Sequence, residues 1–125
     1  MPLAQVWHHF QDRDLALALF RSLSRFGPPL HIITFEGCQL GANIKLKIGP
    51  MHWHSVVTEC VETQDSCWFV DEGVSLPPGL RQFRHVHRLV ARGADTVIEE
   101  DITLHGWWVW CPAFWLQMKM RRYFS

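Results

Sequence analysis

The chain has 125 residues, with 12 Lys and Arg against 12 Asp and Glu and a formal net charge of zero. That length permits one domain, residues 1–125, with a real core and no room for a second. Its charges are interspersed and form no basic stripe, which argues against nucleic acid as a partner.

The chain opens with Leu3, Val6, Trp7 and Phe10 at helical spacing, and Leu15, Leu19, Leu23 and Phe26 resume that spacing after a break at Asp12–Asp14. Two short helices or one kinked pair are predicted, ending at Gly27-Pro28-Pro29, because proline cannot continue a helix. The period then changes to two. Segments near Leu30–Phe35, Asn43–Ile48, Met51–Val61, Cys67–Val74, Arg81–Ala91 and Asp95–Leu104, separated by turn residues, predict an antiparallel meander of about six strands. Ile44, Leu46 and Ile48 alternate with Lys45 and Lys47, so the sheet has a dry face and a wet one. From Pro112 through Trp115 and Met118 to Lys119, Arg121 and Arg122, a proline start and a basic end predict a C-terminal helix. The class is α+β.

Four cysteines without C-x-x-C spacing, and no apolar leader after a charged start, predict reduced, buried thiols in the cytoplasm. Seven tryptophans are present, and Trp107, Trp108, Trp110 and Trp115 crowd the C-terminal end. The apolar run from Gly106 to Met118 falls short of the roughly 20 residues a membrane helix needs. Interfacial attachment through these tryptophans and Lys119–Arg122 is the weaker account of them.

The polar chemistry concentrates in one hairpin. Alternation puts Phe83, His85, His87 and Leu89 on one face and Arg84 and Arg88 on the other. On the next strand Glu100 shares a face with Ile98, Ile102 and Leu104. A turn centred on Arg92-Gly93 pairs Phe83 with Ile102, His85 with Glu100 and His87 with Ile98. A carboxylate among isoleucines needs a partner, and His85 is the predicted one. Trp53, Ser55, Val57 and Glu59 form a similar alternating set, as do Phe69 and Asp71. A histidine bonded to a carboxylate is a common structural pair, but two inward histidines and several acids suit a partly polar pocket better than a dry core.

These residues resemble the START-like (SRPBCC) superfamily, in particular its small bacterial polyketide cyclase/dehydrase-like members. The likeness rests on the opening helix Pro2–Phe10, on Phe69-Val70-Asp71, on Phe83-x-His85-x-His87-x-Leu89 after a Pro78-Gly79 turn, and on Thr96, Ile98, Glu100 and Ile102. In such proteins the usual pattern has Gly-Pro, Trp and Phe where this chain has Pro-Gly, Phe83 and Leu89, and Asp where it has Glu100. The resemblance implies a helix-grip fold, a curved antiparallel sheet around a C-terminal helix with a hydrophobic cavity between them. The family's first strand has no counterpart before the opening helix. Either the true start lies upstream or the sheet lacks a strand, and a lacking strand predicts an exposed sheet edge, with pairing into a homodimer or poor solubility.

The function so implied is binding of a hydrophobic, lipid-like, aromatic or polyketide-like small molecule, with Trp53, Phe69, Asp71, Phe83, His85, His87, Glu100 and Trp115 as ligand-binding residues. The alternative is a cyclase/dehydratase-type enzyme using a pocket histidine and acid. No cofactor is expected. A cupin-like metal site is disfavoured, because no glutamate follows His85-x-His87 at the required distance and His52 and His54 have the opposite parity to Trp53.

Overall fold

The computed structural model describes residues 1–12, 30–108 and 111–124. It contains one helix, α1 (Leu3–Gln11), and seven strands: β1 (Leu30–Phe35), β2 (Asn43–Ile48), β3 (Met51–Glu62), β4 (Ser66–Ser75), β5 (Leu80–Arg92), β6 (Asp95–Trp108) and β7 (Cys111–Phe124). All seven form one antiparallel sheet in sequence order, and β1 does not pair with β7. The α+β class and the meander therefore hold. The predicted second helix, Leu15 to Phe26, lies outside the described residues.

The C-terminal helix is a correction. Cys111–Phe124 is a strand, paired along its length with β6 from Trp108↔Cys111 to Thr96↔Phe124. Leu116, Met118 and Met120 alternate with Gln117, Lys119 and Arg121, a period of two, and those three polar residues and Tyr123 are exposed. Pro112 near the start of a strand is as acceptable as at the start of a helix. The sheet is thus not gripped around a C-terminal helix.

α1 covers one face of the sheet. Nine residues are too few to be stable as an isolated helix, so packing holds it in place. Val6, Trp7 and Phe10 are buried and join Phe35, Cys38, Ala42, Ile44, Val57, Cys67, Phe69, Leu89 and Ile98 in the core. Phe10 and Trp7 both sit 6.2 Å from Phe69, centroid to centroid. The opposite face is wet, as alternation predicts: Arg84 pairs with Glu72, Arg121 with Glu99, and Arg88 lies over Trp68.

Two irregularities set which side chains face the core. On β3, Val57 pairs with Asp71 and Glu59 with Val70, so Thr58 is an extra residue and the strand's parity flips there. Glu59, expected inward with Trp53 and Ser55, instead accepts a hydrogen bond from Trp68 Nε1 on the outer face. The β5–β6 turn is the second. Arg92 pairs with Asp95, so the loop is Gly93-Ala94, and Gly93 takes a positive φ of 63° that suits glycine at the first position of a tight hairpin turn.

Moving that turn by one residue slides the register by two. Phe83 pairs with Leu104, His85 with Ile102, His87 with Glu100 and Leu89 with Ile98. The predicted His85↔Glu100 cross-strand pair is corrected to His87↔Glu100. Parity survives, so the same residues face inward.

Candidate functional site

Four adjacent strands assemble the inner polar cluster. β3 supplies Ser55, β4 supplies Asp71, β5 supplies His85 and His87, and β6 supplies Glu100. Strand pairing brings them together: Asp71 lies across from His85 and Phe69 across from His87 on the β4–β5 ladder. Because side chains two apart on a strand share a face, His85 and His87 stand side by side, with ring centroids 3.6 Å apart.

The contacts form a chain. Ser55 Oγ donates to Asp71 Oδ2 at 2.9 Å. The other oxygen of Asp71 lies 2.9 Å from His87 Nε2, and His87 Nδ1 lies 3.4 Å from Glu100 Oε1. Glu100 Oε2 is 3.8 Å from His85 Nε2, the diagonal contact that replaces the predicted direct pair. Ser55, Asp71, His87 and Glu100 are all buried. Phe69 stacks on His87 at 4.2 Å and 11°.

The electrostatics assign the charges. Burial alone would push His87 down, but its contacts with Asp71 and Glu100 and their negative charges prevail, raising it to about 9. Burial would raise Asp71 and Glu100, yet the adjacent histidines hold both carboxyls below their usual range. Burial and the neighbouring His87 charge lower His85, against the pull of the acids. At neutral pH the cluster therefore holds two carboxylates, a protonated His87 and a neutral His85.

The cluster borders a cavity of about 60 Å³ lined by Ile32, Phe35, Ile44, Leu46, Phe69, Asp71, Phe83, His85 and His87. No family model, curated protein or solved structure matches this chain.

Of the residues singled out in the sequence, Phe69, Asp71, Phe83, His85 and His87 line the cavity, and Glu100 contacts both histidines. Trp53 meets Phe83 edge-on at 4.6 Å, and its indole N–H is buried without a hydrogen bond. Trp115 belongs to β7, across from His105, rather than to a lid helix, and its side chain lies outside the described residues. The walls from β1 and β2, Ile32, Phe35, Ile44 and Leu46, were visible in the sequence only as a dry face. Nothing in their spacing says that they meet the histidines, because the sheet between them must first curve.

Cys38, Cys60 and Cys67 are free thiols. Burial pushes Cys38 up to about 12, and its thiol donates to the Phe10 carbonyl at 3.0 Å. It is a packing residue rather than a nucleophile. No helix among the described residues is long and apolar enough to cross a membrane.

Proposed function

We propose that this chain binds a hydrophobic small molecule on the inner face of its sheet, with the polar end of the molecule against His85 and the Asp71–His87–Glu100 chain. One observation carries the reading: a buried, charged relay opens onto a cavity whose other walls are aliphatic and aromatic. Apolar walls with a few convergent polar groups are the usual make-up of a ligand site. The START-like resemblance of the Phe83–Leu89 strand supports the same reading from the sequence side.

The size of the cavity narrows the ligand. At about 60 Å³ the cavity holds a few waters or a small polar group. The polar head fits as the site stands. An aromatic or polyketide-like body requires the half-buried rim residues Ile32, Leu46 and Phe83 to turn aside. The unpaired Trp53 N–H beyond Phe83 then offers a donor to an acceptor on that body.

Fluorescence of 1-anilinonaphthalene-8-sulfonate with the full chain tests this reading. Saturable binding that Leu46→Arg weakens by about tenfold, the effect of roughly 1.4 kcal/mol, is the expected result. Equal signals from both proteins, or none from either, overturn it.

An acid–base enzyme is the second reading, favoured by His85. It is the neutral member of the cluster and, at 14% side-chain exposure, reaches the cavity, whereas His87 is sealed in at 3%. In this reading His85 takes a proton from the bound molecule while Glu100 orients it. Mass spectrometry of a captured ligand, incubated with wild type and with His85→Ala, tests it: conversion by the wild type alone supports catalysis, and conversion by both removes His85 from it.

We further propose that a second copy of the chain pairs at an open sheet edge. Among the described residues no strand covers the outer side of β1, and Ile33 on that strand is 48% exposed. Sedimentation analysis is expected to show a dimer that Ile33→Lys dissociates. A monomeric wild type removes the proposal.

A further inference from the structure

We propose that Asp71, His85 and His87 form a binding site for a first-row divalent transition-metal ion, with Glu100 holding His87 from behind. The proposal needs no organic ligand and stands apart from the binding reading above.

The donor set comes from two neighbouring strands. Each of the three residues offers one ligand atom, and all three atoms lie within 4.8 Å of one another. Two donors bonded at about 2.1 Å lie about 3 Å apart when they meet at a right angle at the metal and about 3.4 Å apart at the tetrahedral angle. His87 Nε2 and Asp71 Oδ1 are already 2.9 Å apart. A modest turn of the His85 ring, which sits against His87, brings in the third ligand.

A second observation points the same way. His87 Nδ1, Glu100 Oε1 and His85 Nε2 are buried without a hydrogen bond. A metal on His87 Nε2 leaves Nδ1 as an N–H donor, and Glu100 Oε1, 3.4 Å away, is the acceptor that such a histidine needs. The same step converts a slack ion pair into a carboxylate–histidine–metal line. Two positive charges would face the carboxylates of Asp71 and Glu100, so the buried charges balance.

The chemistry of the donors selects the ion. Two imidazoles and one carboxylate suit zinc, iron, cobalt or nickel rather than magnesium or calcium, which prefer oxygen ligands throughout. Three protein ligands leave a coordination position open. The adjoining cavity, at about 60 Å³, has room for a metal-bound water.

A cupin-like site takes its acid from downstream of His87, where this chain has Arg88 and Arg92. The sheet supplies the acid from upstream instead, because β4 lies beside β5 and places Asp71 across from His85. A ligand on an earlier strand leaves no fixed spacing in the sequence.

Co²⁺ titration of the chelator-treated full chain, followed by visible absorption, tests the proposal. Wild type is expected to take up a single Co²⁺ with ligand-field bands. His85→Gln should abolish those bands, Glu100→Gln should weaken uptake roughly 10–100-fold, and His52→Gln, an exposed β3 residue, should change nothing. No uptake by wild type, or uptake that His85→Gln leaves intact, overturns the proposal. Should His85→Gln fail to fold, X-ray absorption of the wild-type cobalt form decides: two imidazoles in the first shell support the site, and fewer overturn it. The dye-binding experiment is run on metal-free chain, so either proposal can fail without the other.

Discussion

His87 is a fully buried histidine between two carboxylates, and its protonation governs how the metal-free chain responds to pH. Its folded value of about 9 lies above the unfolded 6.5. The stabilisation it provides is therefore complete below pH 6.5 and is lost as the pH rises through 9, an effect of up to about 3 kcal/mol. His85 works in the other direction. Its folded value lies below 6.5, so stability falls as the pH drops beneath that point. Asp71 and Glu100, both held low, extend the loss further into acid. Stability of the metal-free chain should peak near pH 6.5, the value at which the two histidine effects meet. Urea midpoints across the range check this. In His87→Gln the decline between pH 6.5 and 9 should disappear, and a persistent decline would assign it elsewhere.

At the scale of strands and turns, Gly106 shows how closely the hairpin ends pack. A Cβ on Gly106 would overlap the Gly79 carbonyl oxygen, and backbone cannot swing aside as a side chain can. Gly106→Ala should cost roughly 1–3 kcal/mol, read as a lower urea midpoint, by prising β6 from the start of β5. A wild-type midpoint would show that this end of the sheet adjusts freely. The strands also show what a sequence can and cannot express. For β1 to β6 their existence and order, and most of their inward faces, were legible because alternation has a period of two. The β5–β6 register was not: a two-residue slide keeps every apolar residue inward, so the hydrophobic pattern cannot distinguish His85↔Glu100 from His87↔Glu100. Only the turn decides, and Gly93-Ala94 differs from Arg92-Gly93 by one step. Thr58 hides a parity change that no pattern over Trp53–Glu59 reveals. In Cys111–Phe124 the proline, the tryptophan and the basic end read as helix signals and masked the two-residue alternation.

For the molecule as a whole, α1 is the piece that turns an exposed sheet face into an interior. Phe10 is 1% exposed and packs edge-on to both Phe69 and His87. Phe10→Ala should therefore destabilise the chain by roughly 3–5 kcal/mol, as deletion of a buried ring does. Water that then reaches His87 would relieve its burial and screen the Asp71 and Glu100 charges at once, two effects of opposite sign, so its value should also move from about 9. Calorimetry and a histidine titration measure the two effects separately. A loss of stability with His87 unmoved would mean that the sheet alone, without the helix, shields the polar cluster.

The stacking of rings around His87 has a consequence for how the site can be watched. Phe69 lies nearly parallel to its imidazole at 4.2 Å, and the His85 ring sits against it at 3.6 Å. Ring currents from these neighbours should move the His87 carbon-bound protons upfield of the position that its protonation state alone would give them. Those protons are a built-in magnetic-resonance reporter at the centre of the pocket, and whatever enters beside His85 should change their line.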